Sequence, residues 1–94
     1  MLAIVATLKI KPGTEAEFEA VALALVAAVN ADEPGCALYT LSRSATPETY
    51  VFMERYVDQA ALDGHRVTAH YKELGAKMGP FMAGRPEVQR LTEL

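Results

Sequence analysis

The chain has 94 residues, a formal charge of -3 and a sequence pI near 5.3, a length that suits one domain, residues 1–94, and not two. No run of Lys or Arg forms a stripe able to track phosphates, so nucleic acid is not an expected partner. The single cysteine, Cys36, excludes an internal disulfide and a thiolate zinc cluster and suits a reducing, cytoplasmic setting.

In chain order, Leu2 to Lys11 alternates weakly between Leu2/Ile4/Ala6/Leu8/Ile10 and Ala3/Val5/Thr7/Lys9, which predicts a strand apolar on both faces at its start. It reads as a strand and not a leader, because no basic residue precedes it and Lys9 and Lys11 follow too soon. No apolar stretch approaches the ~20 residues needed to cross a bilayer, so no membrane is expected. Pro12-Gly13 ends the strand, and Thr14 with Glu17 three positions later has the form of a capping box. The apolar set Phe18, Val21, Ala22, Leu25, Val26 and Val29 then predicts a helix from Glu15 to about Asn30.

Glu33-Pro34-Gly35 stops that helix, Cys36 to Arg43 reads as a second strand, and Ser44 to Glu48 as a loop. In a third strand, Thr49 to Val57, alternation sends Val51, Met53 and Val57 one way and Phe52, Glu54 and Tyr56 the other. Asp58 caps a short helix through Leu62, Gly64 bends or breaks it, and a longer helix runs from about Thr68 to Met78 on a stripe of Val67, Tyr71, Leu74 and Met78. Gly79-Pro80 ends this helix, and after the loop Ala83 to Pro86 the residues Glu87 to Thr92 make a last strand.

Strand, helix, strand, strand, helix pair, strand is the split βαβ order, an α+β ferredoxin-like antiparallel sheet with its helices on one face. The other face, rich in large apolar groups, is left without cover from the chain. Hydrophobic residues make up 51% of the sequence, more than a lone domain of this size needs. A second copy packed sheet to sheet, a homodimer, is the expected remedy.

There is no glycine-rich phosphate loop, nucleophile elbow, His-Glu-x-x-His or Cys-x-x-Cys, so no nucleotide, serine-hydrolase or metal chemistry is expected, and no cofactor. His65 and His70 are five positions apart, which does not suit a metal pair on one helix face. His70 falls at the edge of the core stripe, placing it at the rim of an internal cavity as a candidate proton acceptor, whereas His65, if helical, points away. Glu54, between Phe52 and Tyr56, needs a buried partner: Arg43 on the neighbouring strand, a donor from a second subunit, or a histidine that it orients. Tyr39, Phe52, Tyr56, Tyr71, Met78 and Phe81 are core residues by default, and a subset of them suits the pocket of a small aromatic or apolar molecule.

Lys11-Pro12-Gly13 before a helix, Glu33-Pro34-Gly35-Cys36 with Tyr39, the run Tyr50 to Tyr56, and Ala60-Ala61-Leu62 with His65 and His70-Tyr71 together resemble the antibiotic biosynthesis monooxygenase (ABM) family, which includes quinol monooxygenases. The resemblance implies a dimeric α+β barrel with a cavity between each sheet and its helices. It implies oxidation of quinols or polyphenols by dioxygen without metal or flavin, with His70 as base and Glu54 and His65 at recurrent positions. Haem-degrading relatives use an asparagine on the first strand, a tryptophan and a late histidine. Here the first strand has no Asn, the chain no Trp, and Gly75 stands near the histidine's place, so haem degradation is disfavoured. Other relatives are isomerases or have no established activity, and a non-catalytic ligand-binding dimer is the alternative from a different class.

Overall fold

The computed structural model describes all 94 residues. Four strands, β1 (Leu2–Lys9), β2 (Cys36–Arg43), β3 (Thr49–Tyr56) and β4 (Glu87–Thr92), alternate with helices α1 (Glu15–Asp32), α2 (Gln59–Arg66) and α3 (Ala69–Met78), and a 3-10 turn at Gly79–Phe81 follows α3. The sheet order is β2-β3-β1-β4 with every neighbour antiparallel. This is the ferredoxin-like α+β arrangement that the element order predicts.

Alternation along the strands decides which side is buried. Ile4, Ala6 and Leu8 of β1, Tyr39 of β2, and Tyr50, Phe52, Glu54 and Tyr56 of β3 all lie on the helix-covered face. Helix α1 supplies Phe18, Ala22, Leu25 and Val29, spaced three and four residues apart and fully buried. Burying each of the larger ones stabilises the fold by about 1.5–3 kcal/mol. A smaller cluster of Ile4, Tyr56 and Leu62 lies beneath α2, separate from the main core beneath α1. The opposite face carries Ala3, Val5, Thr7, Leu38, Thr40, Val51 and Met53, and nothing in the chain covers it; Met53 is 41% exposed. No helix is long and apolar enough to cross a membrane.

Several local expectations are corrected. Thr14 and Glu17 form no capping box: the Thr14 hydroxyl donates back to the Lys11 carbonyl at 2.7 Å, and the Gly13 N–H donates to the Glu15 carboxylate at 3.1 Å. Gly13 takes φ +86°, which favours glycine, and its free N–H is received by the acidic side chain two residues further on, not by Glu17. Helix α1 runs two residues further than Asn30, to Asp32. Gly64 does not break α2, which continues to Arg66; Asp58 anchors its start by accepting the Ala61 N–H at 2.9 Å, and Leu62 and His65 fix its buried side. Val67 is therefore not on the stripe of the next helix: it lies in the corner before α3 and is 67% exposed. Val57 falls just past the end of β3, its N–H bonded to the Gly35 carbonyl at 2.9 Å.

That bond belongs to the turn Glu33-Pro34-Gly35-Cys36, closed by the Cys36 N–H on the Glu33 carbonyl at 3.0 Å. The turn presses against α2: a Cβ on Gly35 would lie 2.8 Å from the Cβ of Ala61. Two backbone segments are involved, so neither yields by a rotamer change. Gly35→Ala is expected to destabilise the protein by about 1–3 kcal/mol, read as a lower urea midpoint with an unchanged slope. Gly64→Ala, with open space at its Cβ, is expected to leave the midpoint equal or higher.

Candidate active site

Between the two core clusters, under α2 and α3, the sheet bounds a cavity of about 170 Å³. Ile4, Ala6 and Leu8 of β1, Leu25 of α1, Phe52 of β3, Leu62, Met78 and Val88 form apolar walls. Tyr39, Glu54, His65, Arg66 and Tyr71 supply the polar groups, and Pro86 completes the lining. An apolar protein cavity on the order of 150 Å³ admits benzene, so the space suits one substituted ring.

His65 is the most constrained of these groups. Its ring packs against Tyr39 at 5.2 Å, Tyr56 at 5.5 Å and, edge-on, Tyr71 at 4.7 Å, and it is only 3% exposed. Its Nδ1 lies 2.9 and 3.0 Å from the two carboxylate oxygens of Glu33. A carboxylate only accepts, so Nδ1 carries the proton and Nε2 is left as the basic nitrogen. Nε2 has no bond within the protein and is not sealed off, and His65 is one of the residues that line the cavity. The other side of Glu33 receives His70, whose Nε2 lies 2.5 Å from Oε2.

The expected positions of the two histidines are thereby exchanged. A single helical wheel through residues 65 to 78 turns His65 outward, but α2 and α3 are separate helices meeting at a corner. Thr68 fixes that corner, its hydroxyl donating to the His65 carbonyl at 2.8 Å and accepting the Tyr71 N–H at 3.2 Å. The corner turns His65 into the cavity and brings His70 behind Glu33, away from the lining. The two imidazoles do meet at one point, contrary to what their five-residue spacing on one helix implies.

Of the ring-binding candidates, Tyr39, Phe52, Tyr71 and Met78 line the cavity. Tyr56 lies beneath it against His65 and Leu62, and Phe81 packs on the main core from the 3-10 turn, so neither is a lining residue. Glu33 enters the sequence reading only as part of the helix-ending Glu33-Pro34-Gly35-Cys36 run, with no role for its carboxylate. One clue lies in its position: a carboxylate at a helix C-terminus opposes the macrodipole, and α1 has no basic residue in its last turn.

Glu54 is 8% exposed and is held by the Tyr56 hydroxyl, which donates to Oε1 at 2.6 Å. Arg43 is not its partner. Register places Tyr39, not Arg43, opposite Glu54, and Arg43 sits at the far end of β2, bonded to Glu19 at 2.8 Å. Burial raises the Glu54 carboxyl above its ordinary value, against the opposing effects of the Tyr56 hydroxyl and the nearby His65 and Arg66. Burial likewise pushes up the hydroxyls of Tyr39 and Tyr56, and raises the Cys36 thiol to about 11, leaving it an inert thiol.

Because the folded state holds the Glu54 proton more tightly than the unfolded chain, this group favours folding below the ordinary value of 4.5, and that benefit is lost as pH rises through the folded value. Glu54→Gln keeps an acceptor for Tyr56 and removes the titration. Thermal melts are expected to show the variant more stable than the parent at neutral pH, with the difference shrinking as the solution is acidified. Glu19 and Glu93, whose carboxyls are lowered by hydrogen bonds from Tyr50 and Arg43 and from Arg55, act in the opposite sense but equally in both proteins.

The antibiotic biosynthesis monooxygenase family pattern matches residues 1–77. YcnE of Bacillus subtilis (strain 168), named as a candidate monooxygenase, is 36% identical over 95 residues, covering 100% of this chain and 98% of that protein. Rv0793 of Mycobacterium tuberculosis, named likewise, is 31% identical over 81 residues, covering 86% and 79%, and its solved structure superposes with a TM-score of 0.91. A solved structure from Caulobacter crescentus CB15, described as a candidate antibiotic biosynthesis monooxygenase, gives a TM-score of 0.96 at 47% identity over 99% of this chain and 89% of that one. With the pattern spanning most of its length and relatives alike from end to end, this chain belongs to the antibiotic biosynthesis monooxygenase family.

Proposed function

We propose that the chain is a cofactor-independent monooxygenase that oxidises a one-ring quinol or electron-rich phenol with dioxygen. The observation that carries this reading is a buried histidine that lines an apolar, ring-sized cavity, its Nδ1 fixed by a nearly buried carboxylate and its Nε2 left unbonded. His65 Nε2 takes the phenolic proton, and the electron-rich phenolate passes an electron to dioxygen. Recombination at a ring carbon gives a hydroperoxide. Cleavage of the O–O bond leaves one oxygen on the ring as a carbonyl and releases the other as water. For a hydroquinone the balance is quinol plus dioxygen to hydroxyquinone plus water. The apolar walls keep water from the phenolate, and Glu33 holds the tautomer that leaves Nε2 unprotonated.

Oxygen uptake with a panel of hydroquinones, followed by mass analysis in labelled dioxygen, tests the reading; one labelled atom per product molecule is expected, and no uptake with any of the panel overturns it. His65→Ala is expected to lower kcat by roughly 10²–10⁴-fold. Glu33→Gln is expected to fall in the same range, since a neutral amide with one acceptor oxygen replaces a carboxylate that accepts from both His65 and His70, and holds the His65 tautomer less firmly.

The family resemblance and the bare sheet support a homodimer. Val5, Leu38, Val51 and Met53 form an apolar centre on the open face, and Leu91 extends it along β4 at 46% exposure. A two-fold copy laid sheet to sheet covers it. Sedimentation at micromolar concentration is expected to give a dimer for the parent chain and a monomer for Met53→Asp; a monomeric parent overturns the assignment.

A further inference from the structure

We infer that Glu33, His65 and His70 form a binding site for one divalent transition ion of the zinc class, and that filling this site switches off the cavity base. The ligand atoms, a Glu33 carboxylate oxygen, His65 Nδ1 and His70 Nε2, all lie within 4.8 Å of one another. Two imidazole nitrogens and one carboxylate oxygen are a donor set for zinc and its neighbours, with a fourth position left for water. Calcium and magnesium call for oxygen shells that this group does not offer.

Three features mark the cluster as more than a chance meeting. The Glu33 side chain is 9% exposed, and its only ionic partners are the two histidines; no Lys or Arg pairs with it. A nearly buried carboxylate is therefore left with partners that are charged only when protonated, and a dication satisfies it more fully. The ligands also come from rigid parts of three segments: the C-cap of α1, the buried side of α2, and the first turn of α3. The Gly35 turn and Thr68 brace the first two against each other and fix the corner between the helices. Finally, His70 at 18% exposure gives an ion access from solvent.

At zinc–ligand distances of about 2.0–2.1 Å, a tetrahedral site separates its donors by about 3.3 Å. The carboxylate–imidazole distances of 2.5 to 3.0 Å thus open by less than an ångström, and rotation of the partly exposed His70 brings its nitrogen toward His65. Each imidazole keeps one proton by moving it to its other nitrogen, so no net proton is lost. For His65 the consequence is specific: with the ion on Nδ1, the proton sits on Nε2, which changes from acceptor to donor. Neither Glu33 nor His70 lines the cavity, so the ion lies behind His65 and acts on the base without touching the ring.

The inhibitory part rests on His65 being the base, and the binding part does not. Tag-free protein, stripped with a chelator and dialysed, is titrated with Zn²⁺ by calorimetry and with Co²⁺ by visible absorption. One equivalent per chain is expected, with a tetrahedral cobalt spectrum. His70→Ala, checked for folding by circular dichroism, is expected to weaken binding by more than the roughly 10–100-fold that loss of a supporting partner costs at metal sites; Glu33→Gln gives a second, independent loss. Absence of stoichiometric binding, or equal binding in both variants, overturns the site. In oxygen-uptake assays Zn²⁺ is expected to inhibit the parent reversibly, chelator restoring the rate, and to spare the residual rate of His70→Ala. Stoichiometric binding without inhibition of an active enzyme overturns the switch alone. A protein that binds the ion yet oxidises no quinol refutes the proposed activity and leaves the site standing.

Discussion

The carboxylate of Glu33 stands where a helix end disfavours negative charge, and two imidazoles from two other helices hold it there. The arrangement ties the end of α1 to α2 and α3 and fixes the orientation of His65. Without it, the ring is held only by aromatic packing, which sets its plane but not which nitrogen carries the proton. The Glu33-Pro34-Gly35 turn therefore does two things: it ends α1 and returns the chain to the sheet, and it delivers an acceptor to His65.

The sheet divides the remaining work. Its inner face packs α1 through Phe18, Ala22, Leu25 and Val29, and leaves a ring-sized space under the shorter helices α2 and α3. Helix α1 fills its side with a continuous apolar stripe, whereas α2 buries only Leu62 and His65. The cavity lies where the covering helices have too few large side chains to close over the sheet. The outer face has no helix at all, and the proposed dimer follows from that asymmetry.

Polar groups enter the cavity sparingly. Glu54 is held by the Tyr56 hydroxyl two residues along the same strand face, an arrangement that satisfies one oxygen of a carboxylate whose burial raises it above its ordinary value. Tyr39 and Tyr71 border His65 with their rings. Walls of Ile4, Ala6, Leu8 and Phe52 keep the dielectric low in the cavity that His65 borders. In such surroundings a phenolate is poorly solvated and a strong electron donor, which is the condition an oxygenation without flavin requires.

The order of elements and the faces of the strands were legible in the sequence because both depend on local period. Ile4, Ala6 and Leu8 alternate, Phe18 to Val29 follow helical spacing, and Asp58 has the form of a cap; each signal spans only a few residues. Of the six aromatic and methionine candidates, Tyr39, Phe52, Tyr71 and Met78 line the cavity, and local period did not separate them from Tyr56 and Phe81. Contacts between distant segments were not legible either. Glu33 meets His65 across 32 positions through the packing of a turn against a helix. Arg43 missed Glu54 by strand register, and His65 faces inward because Thr68 starts a new helix at a corner. By itself the sequence determined a one-sided sheet with its helices and the residues able to line a cavity. The tertiary structure alone decided which histidine faces that cavity and what holds it, since orientation depends on the angle between two helices and no residue spacing encodes that angle.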